Sequence, residues 1–359
     1  MDNRITKNRL SDFLSYEWIL IILFAFISIM AWELFYTMAS VKLTTGQQFK
    51  FFFDQSLSGN STAVMRFLDD DDVLSYDVQK VSVERLLSSY NVLSTRLDIQ
   101  DGDVIFTNCK DPLKNAPNPD EVENTNIRLK EIVDAYCVYS FEELNLDAQE
   151  YLKRYIKDEN LSNNDLFDKV KTGVLDESKI EKTFRSRMKK DNRFRTQAQI
   201  KEGVKMEKER IERLYEETVL FGKLLELEST HEGLFYRYTK YAQRRDTQEL
   251  VENKERLQEI IDGEVARLEG LGLSGVDNAD GDTEFIYALN LGKLPATTVE
   301  GKVSPSSVCR LNNSDTADDV CLAVFNFRSY QPHLQFETIS FINSIVRNTS
   351  DILDGVNIR

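Results

Sequence analysis

Few residues in this chain combine the types and spacings that chemistry needs. Two histidines, His231 and His333, and four cysteines, at positions 109, 137, 309 and 321, are the natural starting points. Neither histidine has a visible serine or cysteine partner motif of the kind a nucleophilic hydrolase uses. The cysteines form no CxxC pair, so a zinc site is not supported either. Outside a cell the cysteines could pair with one another. Cys309 and Cys321 flank the polar stretch RLNNSDTADDV and could staple a hairpin. Cys137 and Cys321 lie in apolar runs and could instead be buried free thiols.

Other motifs match in letters but not in context. Gly270 to Gly275 reads GLGLSG, a literal GxGxxG. It follows a helical pattern instead of a strand, so it reads as a helix stop and linker. Ser186-Arg187-Met188-Lys189 matches SxxK, but it lies in a charged helical run without the accompanying motifs. The Asp277–Asp282 run lacks the glutamate that closes an EF-hand loop, because Tyr287 stands there. Four acids at Asp69–Asp72 read as a solvated loop at a helix end, since no spaced oxygen ligands surround them. Lys182, Arg185, Arg187, Lys189, Lys190, Arg193 and Arg195 form a basic island. It could grip anionic headgroups, but pairing with Glu181, Glu202 and Glu207 along a solvated helix face is the simpler reading. Sequons begin at Asn60, Asn160, Asn312 and Asn348 and carry little weight in so asparagine-rich a chain. The chain is therefore expected to be non-enzymatic, with no cofactor and no metal.

The elements that would position any site begin with a membrane anchor. Trp18 to Trp32 (WILIILFAFISIMAW) is apolar apart from Ser28, and the run from Glu17 to Met38 has the length a bilayer requires. Trp18 at one end and Trp32 with Tyr36 at the other suit the two interfaces. Met38-Ala39-Ser40 offers only a weak cleavage site, so an uncleaved anchor is preferred over a signal peptide. Arg4, Lys7 and Arg9 precede the run, while Lys42 and Lys50 follow it. That asymmetry places the N-terminus (1–16) in the cytoplasm and the bulk outside the cell. The net charge of −15 over 359 residues argues against nucleic-acid binding. The bilayer is the one partner read from the sequence directly.

Beyond the anchor the spacing predicts an α/β pattern. Phe49–Phe53 reads as a strand, Ala63–Leu68 as a short helix, and Tyr76–Val83 as a second strand. A helix from about 83 to 99 leads through Asp101-Gly102 to a strand at 103–107, which is a β-α-β order. A Pro-bearing loop over 108–126, a helix at 127–134 and a strand at 135–138 complete a first part, 41–140. Residues 141–272 contain no proline and carry apolar residues at helical spacing. Ile211, Leu214, Phe221 and Leu225 form one stripe, and Leu250, Leu257, Ile261, Leu268 and Leu271 another. Two long antiparallel helices, turning near Ser229–Gly233 and separable from the core, are expected. Strands return at 284–289 and 320–327, before a final helix at about 334–346. The fold class is thus α/β, with an N-terminal transmembrane helix (17–38) and a core split by a coiled-coil-like insertion. The parts of that core, 41–140 and 273–359, are expected to share one sheet. The helix at 334–346 should cover one face and bury Phe336, Ile339 and Ile342.

Three stretches carry a resemblance. VLSTRLDIQDGDVIF (92–106), IYALNLGKL (286–294) and LAVFNFRSYQPHLQFETISFINSIV (322–346) occur in the order seen in bacterial extracellular solute-binding proteins. The layout also resembles membrane-anchored proteins of low-GC Gram-positive bacteria. The resemblance covers about 40% of the chain. It implies a domain that binds a small solute or peptide. It departs from those proteins in its retained anchor, and in having both tryptophans in the apolar run. In open α/β sheets ligands sit beyond the carboxyl ends of strands. That rule nominates Thr107 and Asn108 after one strand, and Asn326 and Ser329 after the last. The competing expectation is a structural or assembly factor that docks another envelope protein through its helical hairpin.

Overall fold

The computed structural model describes residues 18–39, 47–71, 73–86, 95, 102–109, 129–134, 138–157, 175–189, 191, 193–238, 285–326, 336–354 and 356. The chain divides into two compact units, Met1–Thr44 and Thr45–Arg359. In the first, the helix α1 (Trp18–Ala39) is long and apolar enough to cross a membrane, and none of the span is buried. Trp18, Trp32 and Tyr36 are all exposed on it. Its polar side chain Ser28 is satisfied within the helix, donating to the Phe24 carbonyl at 2.7 Å.

The second unit is a mixed α/β structure. Its elements in chain order begin β1 (Gln48–Asp54), β2 (Leu57–Gly59), α2 (Ser61–Asp70), β3 (Lys80–Leu86), β4 (Val104–Asn108) and α3 (Leu129–Asp134). There follow α4 (Phe141–Lys153), α5 (Glu177–Arg187), α6 (Gln197–Glu226) and β5 (Phe235–Tyr238). The chain closes with β6 (Phe285–Asn290), α7 (Pro305–Val308), β7 (Cys309–Leu311), β8 (Val320–Val324) and α8 (Glu337–Thr349). Six strands form one sheet in the order β3-β1-β4-β8-β6-β5, and β2 pairs with β7 in a small antiparallel ribbon. Strands from before residue 140 and after residue 283 therefore do share a sheet. β1 is parallel to both β3 and β4, while β8 runs antiparallel to β4 and β6.

One local expectation is corrected here. The chain stays extended through Leu86 instead of turning helical at Val83, because Val81 and Val83 alternate onto the core face beside β1. A period of two in β-branched residues outweighs the helical spacing that starts after it. The strands on either side of the β-α-β step do lie parallel in one sheet, with β1 between them. The expected helix over 83–99 otherwise falls outside the described residues, apart from Thr95. Gly102 enters β4 at φ +137°, and a Cβ there would meet the Phe52 ring at 2.4 Å, so only glycine fits.

The main core lies on one face of the sheet. Phe341 of α8 sits with its ring centroid 5.3 Å from Phe49, 5.9 Å from Phe51 and 6.2 Å from Phe106. α6 then packs outside α8 and against α4 and α5, so α8 is enclosed and buries Phe336, Ile339 and Ile342 as expected. α6 opens with a capping box at Thr196 and Gln199, which fixes its first turn. Gly203 lets it approach α5, where a Cβ would meet Phe184 at 2.1 Å. The described part of 141–272 is mainly helical, as the spacing predicts, but it is not set apart. Ile211, Leu214 and Phe221 belong to the same apolar cluster as the sheet. The turn falls where expected, and the chain leaves it as strand β5, paired with β6, instead of a second helix. The second apolar stripe, 250–271, lies outside the described residues. The opposite sheet face carries a smaller cluster, in which Leu129, Ile132 and Val133 of α3 cover Phe52, Ile105 and Ala323.

Candidate functional site

The strand order reverses beside β1: the chain goes outward to β3, then crosses back to β4. Such a reversal leaves a crevice outside the carboxyl ends of the two central strands. One row of residues crosses this end of the sheet on the face of the smaller cluster. Thr107 of β4 stands opposite Cys321 of β8, and Cys321 is opposite Asn290 of β6. Asp54, at the end of β1, accepts a hydrogen bond from the Thr107 hydroxyl at 3.2 Å. The adjacent row, Phe52, Ile105, Ala323 and Ala288, is wholly apolar. Polarity thus begins abruptly at the carboxyl edge.

Asp54 is the electrostatic centre of this row. It is fully buried and accepts from the Ser56 backbone N–H at 3.0 Å as well as from Thr107. Burial pushes its carboxyl up to about 6, with the Ser56 and Thr107 hydrogen bonds pulling partly back. Cys309 of the β2–β7 ribbon is a buried free thiol pushed up to about 12, first by burial, with the Asp54 charge adding to the effect. A thiol held protonated in this way is a poor nucleophile. The ribbon is fixed over the edge by Asn312, whose N–H donates to the Ser56 carbonyl and whose Nδ2 donates to the Gln55 carbonyl, each at 2.9 Å.

Cys109 and Cys321 form a disulfide between the end of β4 and β8, with Cα atoms 5.8 Å apart. This corrects both readings of the cysteines. Cys321 pairs across a ladder with the residue just past β4, and Cys309 stays reduced because its side chain belongs to the opposite core cluster. Cys137 lies outside the described residues.

Thr107 and Asn108 therefore belong to the reversal edge, Thr107 buried and Asn108 half-buried. Asn326 does not join them. β8 is antiparallel to β4, so Val324 lies opposite Val104 and Val320 opposite Asn108. Asn326 is thus at the amino end of β4, roughly 13 Å or more away at ~3.3 Å per strand residue. There its Oδ1 is buried, with no hydrogen-bond partner among the described residues. Ser329 lies outside the described residues. The rule of carboxyl ends separates residues of antiparallel strands, and the sequence had no signal for the direction of β8.

A second polar cluster contains one pairing legible in the sequence, the basic island with Glu207, but sets it in the interior instead of on a solvated face. Arg187 of α5 pairs with Asp77 and donates to both Glu207 oxygens at 2.6 and 2.8 Å. Tyr76 donates to Glu207 at 2.8 Å. Arg210 of α6 reaches Glu337 of α8 at 2.7 Å and Glu207 at 3.6 Å. Asp77, Glu207, Arg210 and Glu337 are buried, and Arg187 is nearly so. Burial alone would raise the Glu207 and Glu337 carboxyls, but the Arg210 and Arg187 guanidinium groups outweigh it and hold both below the ordinary range. Two turns along α6 from Arg210, Glu217 accepts from Asn343 at 2.7 Å and from Arg347 at 2.8 Å. Arg187 thus leaves the basic island for the interior. Arg185 pairs with Glu181, and Arg193 with Asp191, at the surface. In the acidic run, Asp71 accepts from Asn348 at 2.8 Å and Asp70 pairs with Arg66. Among the described residues no group of side chains could hold a metal ion.

The chain matches no protein-family model, no curated protein and no solved structure. The site has to be read from its own geometry.

Proposed function

We propose that this is a single-pass, membrane-anchored protein whose α/β domain lies outside the cytoplasm and binds a small solute or peptide. Binding takes place at the carboxyl ends of β1 and β4, by way of Asp54, Thr107 and Asn108. The observation that carries this reading is the polar row at the strand-order reversal, next to the Cys109–Cys321 disulfide. The reversal supports a ligand edge. The disulfide, together with an apolar span preceded by basic residues, supports an oxidising compartment beyond a membrane. The assembly-factor alternative needed an unpartnered seam on the helical hairpin. In the described half of that hairpin, Ile211, Leu214 and Phe221 are all buried in the domain's own core, so the ligand-binding reading is preferred.

Two measurements test it. Protease added to intact protoplasts should digest the large domain and spare a tag at residue 1; the reverse pattern refutes the topology. The full chain in lipid nanodiscs, screened by thermal shift against metabolites and short peptides, should be stabilised by at least one of them. A ligand present at 100 times its dissociation constant adds about 2.7 kcal/mol. Asn108→Ala should weaken that response, and a shift unaffected by Asn108→Ala would place the ligand elsewhere.

A further inference from the structure

The basic island keeps part of its charge at the surface. From Lys182 to Lys201 the chain carries eight basic residues and one acid, in a protein of net charge −15. Arg187 turns inward, and Arg185 and Arg193 are paired with Glu181 and Asp191. Lys189, just past α5, and Lys201, in the second turn of α6, are exposed, and neither has an ion-pair partner among the described residues. Lys80, the first residue of β3, is exposed and unpaired in the same sense. Glu202 is exposed beside Lys201 and offsets one charge. The loop that carries Lys189 is fixed at the amino end of β1. Asp191 accepts from the Gln47 side-chain amide at 3.0 Å, and Arg193 donates to the Tyr76 carbonyl at 3.2 Å. Gln47 also accepts from the Gln79 N–H at 2.8 Å, and Lys80 stands opposite Gln48 in the β1–β3 register. Lys80 and Lys189 thus flank the point where the chain enters the domain.

We propose that this basic face docks on anionic headgroups of the bilayer that anchors the chain. The inference rests on the anchor reading above and is independent of the solute. Chain length selects the partner. Eight chain steps separate Ala39, the last residue of α1, from Gln47. At 3.3–3.6 Å per residue they reach about 29 Å at most. The lysines at the entry point are therefore held near a headgroup surface, at a high effective concentration that a free acidic polymer or protein does not share. An anionic surface attracts basic residues within a Debye length, about 8–10 Å, and each one held there strengthens the contact roughly fivefold. Three lysines so placed are enough to hold a tethered domain down, although they would bind a membrane only weakly from solution. The loop is already fixed by Asp191 and Arg193, so docking orders little that is not ordered beforehand. The row of Thr107, Cys321 and Asn290 lies at the other end of the strands and is left facing away from the headgroups.

The test uses the full chain in two kinds of nanodisc, one of phosphatidylcholine alone and one with about a third phosphatidylglycerol. An amine-reactive ester modifies exposed lysines, and mass spectrometry gives the rate at each. Lys80, Lys189 and Lys201 should react about fivefold more slowly in the anionic discs than in the neutral ones. Lys293, exposed three residues past the end of β6 and so at the opposite end of the sheet, should react equally in both. The difference should vanish in 1 M salt, where the Debye length falls to about 3 Å. In Lys189→Glu/Lys201→Glu, Lys80 should lose its protection. Both replaced side chains are exposed, and the lipid and salt comparisons use wild type, so the result does not depend on the variant's folding. Equal rates in the two discs overturn the docking and leave the anchor standing. Protection of Lys293 equal to that of Lys80, or protection that survives 1 M salt, also overturns it. A chain that enters neither disc refutes the anchor, and the docking with it.

Discussion

Replacing Arg210 by methionine should expose how the helical layer is held to the core. Arg210 is buried on α6 and bridges Glu337 of α8 to Glu207 of its own helix. Three carboxylates, Asp77, Glu207 and Glu337, share two guanidinium groups there. Arg210→Met leaves one guanidinium for three acids, and Glu337 loses its cation. Methionine fills most of the volume of the arginine stem, so the cavity term is small and the electrostatic term dominates. Removing one partner of a buried pair costs about 3–5 kcal/mol. Urea unfolding followed by far-ultraviolet circular dichroism is the suitable assay, because both tryptophans sit in α1 and are blind to this domain. The pH dependence fixes the mechanism. In wild type the Glu337 carboxyl is held low, so its contribution is present at neutral pH and is lost on acidification through the folded value. In the variant burial acts unopposed by Arg210, and the penalty should be relieved as pH falls from 7 towards 5. Arg210→Met with Glu337→Leu should recover most of the loss. A cost below about 1 kcal/mol, or a double variant no better than the single one, would refute the view that this pair is tightly desolvated.

Asp54 should make wild type lose stability as pH rises from about 4 to 6. Its folded carboxyl binds a proton more tightly than the unfolded one, a difference worth about 3 kcal/mol; Asp54→Asn should flatten that part of the stability–pH curve, and an unchanged slope refutes the assignment. Phe336 is buried against Tyr151 at a ring separation of 5.1 Å, so Phe336→Ala should cost about 3–5 kcal/mol. Hydrogen exchange in that variant should loosen 80–108 as well as 285–349, and loss confined to the latter would show two independent domains. The Cys109–Cys321 disulfide joins residues 212 apart, so its reduction should lower stability by about 2–5 kcal/mol. A melting temperature unchanged by reductant would mean that the strands alone hold this edge.

The sequence made some of this architecture legible and hid the rest for physical reasons. The strands at 48–54, 104–108 and 285–290 announce themselves because they are buried on both faces and read as continuous apolar runs. The ends of α8 are blurred, because apolar residues continue past them, but its stripe of Phe336, Ile339 and Ile342 is plain. Strand order and direction are different matters. They depend on which surfaces meet, and nothing in VCLAV says that β8 runs antiparallel between β4 and β6. That single unknown scattered the nominated residues, putting Asn326 at the opposite end of the sheet from Thr107 and Asn108. Asp54 lay one residue past an obvious strand, in the position that the carboxyl-end rule singles out. The rule, taken at the strands 103–107 and 320–327, does not reach it.

The buried charges mark the deeper limit of sequence reading. Arg187 stood in a basic island, where six neighbours of like sign made solvation the natural inference, and its partner Glu207 was named only as a surface counter-ion. The structure turns the same pairing inward, because α5 reaches α6 at Gly203 and brings Arg187 against Asp77 and Glu207 together. A charged pair at helical spacing looks the same in sequence whether water or protein surrounds it. What distinguishes the two is the apolar company of the helix face. On α6, Glu207 and Arg210 precede Ile211 and Leu214 on the stripe that was read as apolar, and all four are buried. The stripe was therefore wider than its apolar residues, and its polar members were the pairs that join α5 and α8 to it. Buried ion pairs add little net stability compared with apolar residues of similar size. Their physical effect here is directional: Arg210 can meet both Glu207 and Glu337 only when α8 lies in one register along α6. The same helix then repeats the contact at Glu217 with Asn343 and Arg347. Two such polar contacts, seven residues apart on α6, fix that register more strictly than a greasy seam could. They keep α8 seated on the sheet whose far edge carries Asp54.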